Sequence, residues 1–273
     1  MMMIDTRNTG ASTTITSGSA IQYTIDRWYC SSTGSNVSVQ RVSGTNNNLN
    51  ALQITGLVGN TGTLFGKRIE SNNCYNLVNQ SIVGSLRVQS SSITSLTWYV
   101  YYANVTDNFS SKTLVSTGTI SINSTDTAYS FTLNAGANAA NGLALEFSTT
   151  ALLASQTITY QQIQLEIGNS PTLFERRPIA FEKSICERYY IFIPYLYGTY
   201  DGYWTYFQYY IPKTRINITA SYVTCTNLNT PGNGNNVAGT GFVYFTNTYA
   251  YGYYTGGSGT WWWADNVVIN VEL

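Results

Sequence analysis

Histidine is absent from all 273 residues. That removes Ser-His-Asp and Cys-His nucleophilic catalysis, together with any imidazole-ligated zinc site. Charge is scarce as well: 10% of residues are charged, and 13 Lys+Arg balance 13 Asp+Glu to a formal net charge of zero. No basic field exists to attract a phosphate backbone, so nucleic acid is not expected as a partner. Cys30, Cys74, Cys186 and Cys225 form no CxxC pair, and in a chain too large to need staples they read as buried free thiols rather than disulfides or an all-thiolate zinc site. No run approaches the ~18 consecutive apolar residues of a membrane span. The opening MMMIDTRNTG has neither a basic n-region nor an apolar h-region, so neither a secretory signal nor membrane insertion is expected. No Gly-rich loop leads into the Lys-Ser/Thr pair of a phosphate cradle. Carboxylates remain, but a glycosidase needs two of them held roughly 5 to 10 Å apart. Glu70, Glu146, Glu166 and Asp201 stand isolated and read as strand-end partners for Arg or as surface groups, so the chain is expected not to be an enzyme.

What is present is Ser, Thr, Asn and Gly among the polar residues and Val, Ile and Tyr among the apolar ones, a mixture that forms strands and turns better than helices. Tyr129, Phe131 and Leu133 alternate, as do Leu143, Leu145 and Phe147, and Ile82, Leu86 and Val88 around Gly84. Each set places one face on a core. Thr97 to Tyr102 (TWYVYY) is apolar on both faces and reads as a central strand. The apolar parity switches at Gln161-Gln162, which a β-bulge explains by adding one residue. Turn signals at Gly34, Asn46 to Asn48, Gly59 to Gly62, Asn104 to Asn108 and Asn134 to Asn141 separate the strands. Short strands at this spacing indicate an all-β sandwich or jelly roll.

Four segments follow from this reading. Residues 1–19 are Ser/Thr/Gly-rich and weakly patterned, as in an attachment arm that orders against a partner. Residues 20–174 carry the jelly roll. Residues 175–190 hold seven of the 26 charged side chains and the one good helix candidate, with Pro178 in its first turn, an apolar stripe of Phe181, Ile185 and Tyr189, and Glu182, Lys183 and Glu187 opposite. Such a helix would cover the open end of the jelly roll. Residues 191–273 are a second, small β domain: fifteen of the 23 tyrosines fall between Tyr189 and Thr255, and Trp261, Trp262 and Trp263 follow. A segment of about eighty residues rarely buries so much aromatic surface alone. A surface without net charge also lacks self-repulsion, and both points lead to the expectation of a stable oligomer.

The stretch QLEIGNSPTLFERRPIAFEKSICERYY, Gln164 to Tyr190, closely resembles the close of the carbohydrate-binding-type jelly roll found in many bacteriophage tail fibres. Gln164, Glu166, Gly168, Pro171, Phe174, Glu175, Cys186, Arg188, Tyr189 and Tyr190 match that pattern. Upstream, IDRWYC (Ile25 to Cys30) resembles the family's Asp-Arg-Trp entry strand, KRIES (Lys67 to Ser71) its Arg-Ile-Glu strand, and IPKTRINITASYV (Ile211 to Val223) the strand that starts a variable tip. The resemblance covers residues 20 to 190. It implies a virion protein, released by host lysis, that is usually a homotrimer, attaches through its N-terminal arm to other tail or baseplate proteins, and contacts host-cell-surface polysaccharide without cleaving it. A structural baseplate or decoration fibre, and a polysaccharide-depolymerising tail spike, are the alternatives. Folds of this kind often hold a structural calcium ion, but no ligand loop is visible here and no cofactor is expected.

The motif residues themselves read as structural. Asp26-Arg27 and Glu175-Arg176-Arg177 offer short-range charge pairs, Trp28 and Phe174 core bulk, and Gly168 a positive φ. Sugars present apolar CH faces with polar rims, so exposed Tyr and Trp beside amides or carboxylates are the candidate contacts. The C-terminal domain offers Tyr200, Asp201, Tyr203 and Trp204 in one loop, and Tyr249, Tyr251, Tyr253, Trp261, Trp262 and Trp263 in another. The same aromatics suit a trimer interface or core better still. Three consecutive tryptophans cannot all face one side of a strand.

Overall fold

The computed structural model describes residues 4–200, 205–206, 209–210, 223–224, 227–229, 242–245, 249–253 and 261–272, with side chains described for 4–193, 224 and 267–272. The chain divides into two units, one ending at Ile179 and the other running from Ala180 to Glu272.

The first unit is an antiparallel jelly roll. Its strands are β1 (Thr13–Ile15), β2 (Gln22–Tyr23), β3 (Tyr29–Thr33), β4 (Val37–Ser43), β5 (Asn50–Gly56), β6 (Gly62–Ile69), β7 (Ser81–Ser90), β8 (Ser95–Val105), β9 (Asn108–Ser121), β10 (Thr127–Asn134), β11 (Leu143–Thr149) and β12 (Thr157–Ile167). One six-stranded sheet has the order β1-β4-β5-β12-β7-β10 and the other β2-β3-β6-β11-β8-β9. Short helical turns, α1 (Ser71–Cys74), Tyr75–Leu77 and Ala137–Asn141, sit between strands.

Alternation predicts the buried faces well. Ile82, Leu86, Val88, Leu143, Leu145 and Phe147 are buried, with Phe131 and Leu133 beside them, in one continuous core. Rings fill its centre: Trp28 stacks on Phe65 at 4.9 Å, Phe65 meets Tyr160 at 4.8 Å, and Trp98 stacks on Phe131 at 4.1 Å. Three aromatics lie across a glycine of the neighbouring strand. Tyr29 is paired with Gly66, Trp98 with Gly118 and Phe131 with Gly84, and a Cβ on those glycines would come within 2.8, 2.9 and 2.2 Å of the facing ring. The absent side chain is the space the ring uses.

The β-bulge is where the parity switch places it: the β12–β7 register shifts between Gln161 and Gln164, and Gln162 has φ 50°. TWYVYY lies in β8, flanked by β11 and β9, with Trp98 and Val100 inward and Tyr99 and Tyr101 on the other face. Gly168 takes φ 132° as the strand exits. Cys30, Cys74 and Cys186 are buried free thiols; Cys225 lies outside the described residues.

Several expectations change. Residues 4–19 are ordered on the sandwich itself. Asp5 accepts the Asn8 and Gly10 N–H groups at 3.1 and 2.8 Å, Asp26 accepts the Thr6 N–H at 3.0 Å, and β1 pairs with β4 while burying Ile15. One buried isoleucine and two carboxylate-locked turns order a segment whose hydroxyl-rich sequence shows little periodicity. Asp26 pairs with Arg7 at 3.6 Å. Phe174 is only half-buried and adds no bulk to the core. The helix α2 spans Ile179–Glu187; it buries Glu182 and Cys186 while Phe181 is 54% exposed. Within the helix the buried positions, Glu182 and Cys186, fall one residue after the expected Phe181 and Ile185, while Tyr189, past the helix end, is buried.

The second unit is also all-β. Strands β13 (Tyr190–Tyr200), β14 (Thr205–Tyr206), β16 (Val223–Thr224), β17 (Asn227–Asn229) and β20 (Trp261–Asn270) form one sheet around the β13–β20 pair, and β15 (Tyr209–Tyr210), β18 (Phe242–Phe245) and β19 (Tyr249–Tyr253) form another.

Candidate functional site

Strand pairing gathers a cluster that no short sequence motif contains. Tyr29 (β3), Gly66 (β6), Glu146 (β11), Tyr99 (β8) and Thr117 (β9) stand opposite one another across five strands. They occupy the face of the second sheet directed away from the core. In the next row Arg68, Ala144, Tyr101 and Leu114 are partners. A bulge at Val115, where the β8–β9 register shifts between Val100 and Tyr101, adjusts this end of the face.

Glu146 is buried and doubly engaged. Its Oε1 accepts the Tyr29 hydroxyl at 2.7 Å and pairs with Lys112 Nζ. Lys112 Nζ also sits 4.1 Å from the centre of the Tyr101 ring, a cation–π geometry. Tyr101 stacks with Tyr99 at 5.9 Å and 21° and packs on Ala103, Ala144 and Phe109. Arg68 lies 5.4 Å from the Tyr29 ring and 5.3 Å from the Phe109 ring, while Tyr23 meets Tyr29 edge-on at 5.8 Å. Burial, then the neighbouring Glu146 carboxylate, pushes the Tyr29 phenol well above its ordinary value, and the same two causes raise Tyr101. Both phenols are therefore neutral hydrogen-bonding groups at physiological pH.

The outcome is two half-buried tyrosine rings braced from below and edged by one ammonium and the Thr117 hydroxyl. Such a surface offers ring faces to apolar CH groups and fixed polar groups to hydroxyls. Glu146, read from sequence as an isolated strand-end or surface carboxylate, is instead the buried anchor of this cluster. No second carboxylate stands in either row with it. Among the described residues no group of three or more His, Cys, Asp or Glu side chains is placed to hold a metal ion.

The matched motif residues turn out to be braces. Glu166 accepts the Thr172 N–H and hydroxyl at 2.8 and 2.6 Å, and Gln164 accepts the Glu175 N–H at 2.9 Å, tying the chain exit to β12. Asp26 ties down the N-terminal turn. Of the sequence candidates, Asp201, Tyr203 and Trp204 lie outside the described residues. Tyr200 ends β13 opposite Thr205. Tyr249, Tyr251 and Tyr253 hold alternate positions of β19, opposite Tyr210, Tyr244 and Phe242. Trp261, Trp262 and Trp263 stand in β20 opposite Thr199, Gly198 and Tyr197. The two groups belong to different sheets.

Sequence reading missed Tyr99, Tyr101 and Glu146 as a site. The available signal was TWYVYY: with Trp98 and Val100 inward, Tyr99 and Tyr101 had to lie on the opposite face.

No family model and no curated protein matches the chain. Solved structures do. The enzymatically active domain of tailspike protein 4 from bacteriophage CBA120 is 13% identical with a TM-score of 0.38, over 52% of this chain and 19% of that one. A carbohydrate-binding module of the β-sandwich superfamily is 12% identical with a TM-score of 0.39, over 55% and 62%. The xylan-binding domain of Paenibacillus barcinonensis Xyn10C is 13% identical with a TM-score of 0.37, over 59% of this chain and 97% of that domain. The chain thus spans less than two thirds of the first two.

Proposed function

We propose that the chain is a non-catalytic glycan-binding protein of a phage tail fibre, mediating adsorption to host-cell-surface polysaccharide, and that the tyrosine face of the jelly roll makes the primary contact. The observation that supports glycan binding is the braced Tyr99–Tyr101 pair with Lys112 and Glu146 beside it. A saccharide ring stacked on Tyr101 would offer its hydroxyls to Lys112 and Thr117. The non-catalytic reading is supported by the single engaged carboxylate in the cluster, where glycoside hydrolysis uses two. The virion role rests on the Gln164–Tyr190 resemblance, and so does the homotrimer.

The deciding experiment is an array of bacterial surface polysaccharides probed with the labelled full chain. Wild type binds a subset, and Tyr101→Ala and Tyr99→Ala each weaken it at least ten-fold with unchanged thermal unfolding. No binding to any polysaccharide, or full binding by both variants, refutes the assignment of this face. Reducing ends released from a bound polysaccharide would overturn the non-catalytic reading. Mass measurement at micromolar concentration tests the trimer, and gold-labelled antibody on intact particles tests the tail location.

A further inference from the structure

One end of the jelly roll carries chemistry that the fold does not use. Tyr75 is 81% exposed there, just after α1, whose Cys74 is buried in the core together with the following Leu77. An exposed tyrosine alone is ordinary. Its surroundings are less so. Asn72, Asn76, Asn79 and Asn138 are also exposed, and among the described residues their side chains make no hydrogen bond within the protein. Other asparagines at this end are engaged: Asn141 Oδ1 accepts the Thr106 hydroxyl, Asn134 Oδ1 accepts the Gly136 N–H, and Asn104 bonds Ser111 and Thr113.

The frame beneath is braced. Ser71 donates its N–H and hydroxyl to Asp107 at 2.7 and 2.9 Å, the Asp107 N–H reaches Asn141 O at 2.9 Å, and the Asn79 N–H reaches Gly136 O at 3.1 Å. Three segments, 72–80, 104–108 and 134–142, are thereby held together. Asp107 is their one charged side chain, and Ser71 engages both its oxygens. Ring face, unspent amides and fixed backbone coincide where ionic attraction is weak. Primary amides both donate and accept, which suits the vicinal hydroxyls of a sugar, and rigid loops lose little entropy when they bind.

We infer that this asparagine-rich end is a second saccharide-binding site, separate from the tyrosine face, and that it takes uncharged sugars. Tyr75 stacks against a pyranose face, and Asn72, Asn76, Asn79 and Asn138 read its hydroxyls. A neutral ligand is chosen because these segments offer hydrogen bonds and no free ionic partner.

The test immobilises dextran, galactan, mannan and xylan as neutral probes, with polygalacturonate and hyaluronan as acidic ones, and passes the full chain over them. Tyr75→Ala lowers affinity for a bound neutral polysaccharide at least five-fold. Tyr75→Phe retains it, because the ring and not the hydroxyl is used. Asn76→Ala/Asn138→Ala lowers it in the same way. All three substituted positions are exposed, so the variants unfold at the wild-type temperature, which calorimetry checks. The inference is overturned if Tyr75→Ala binds every probe as wild type does, if its loss is confined to the acidic probes, or if the wild type binds none of the neutral ones. Tyr101→Ala alongside separates the sites: loss there with full retention in Tyr75→Ala leaves the tyrosine face standing and removes this one.

Discussion

Tyr160 offers a test in which deleting a hydroxyl should strengthen the protein. Its ring is fully buried between Phe65 and Phe147, and its oxygen is buried without a hydrogen-bond partner. Burial drives its phenol far above the ordinary value, so it is neutral and simply desolvated. Leaving such a group unsatisfied costs about 1–3 kcal/mol. Tyr160→Phe recovers that cost, less the void of one oxygen, on the order of 10 Å³ and about 0.2 kcal/mol at ~24 cal/mol per Å³. The expected net gain is about 1–2 kcal/mol. Tyr29→Phe is the matched opposite, since that hydroxyl donates to the Glu146 carboxylate at 2.7 Å; losing a bond to a charged group costs about 1.5–3 kcal/mol. Cys30 supplies the readout: it is buried, and burial raises its thiol to about 12, so alkylation at increasing urea, located by peptide mass, reports opening of the sandwich. Tyr160→Phe should move the midpoint up and Tyr29→Phe down. A Tyr160→Phe midpoint at or below wild type would refute the reasoning, because the hydroxyl must then have a partner that it gives up.

Gly66→Ala places a methyl 2.8 Å from the Tyr29 ring and 2.9 Å from Glu146 Cγ; overpacking of about 1–3 kcal/mol, less about 0.4–1 kcal/mol of backbone entropy, leaves a net loss near ~1–2 kcal/mol in urea unfolding. Asp126 would be raised by burial, but hydrogen bonds from Thr45, Gln161, Asn46 and Arg87 outweigh that and hold its carboxyl below its ordinary value. A lowered folded-state value means stability present at neutral pH and lost as pH falls through that value. Asp126→Asn should therefore be less stable than wild type at pH 7, with the gap beginning to narrow only once pH falls below about 4; a gap that stays constant from pH 7 down through the acid limb contradicts the ionic assignment. Cys30 and Cys74, both raised to about 12 by burial, should resist alkylation at pH 8 in the native protein, and rapid native labelling of either would show that the sandwich opens.

Legibility followed the range of the interactions. Period-two alternation reports whether a side chain faces in or out, which is local, so the buried faces, the bulge at Gln161-Gln162 and the turn at Gly168 could be read directly. The site could not, because it depends on which strands are neighbours. Tyr29 and Glu146 are 117 positions apart and touch; nothing in either local sequence announces the other. Closing-motif residues such as Gln164 and Glu166 were legible as structural, and they brace a turn. Attention went to the C-terminal aromatics because Tyr and Trp are densest there, whereas the jelly roll needs only two tyrosines on one braced strand. The helix stripe misled because spacing alone does not say which face is covered: inside the helix Phe181 is exposed and Ile185 half-buried, while Glu182 and Cys186 are the buried positions.

The three rings lying on glycines bear on how the chain finds its strand register. A sequence with 10% charged residues has few ion pairs with which to reject a slipped alignment, and a slip by one residue turns every side chain to the wrong face. Tyr29, Trp98 and Phe131 each need a missing Cβ directly across the ladder. Any displaced pairing sets the ring against an occupied position and leaves the glycine uncovered, so both partners are penalised together. The locks are spread over the β3–β6, β8–β9 and β7–β10 pairs, so misaligned pairings are penalised in both sheets. Because one lock is Tyr29 on Gly66, the alignment that passes this check is also the one that delivers the phenol to Glu146, so a chain that has folded in register has already assembled its tyrosine face.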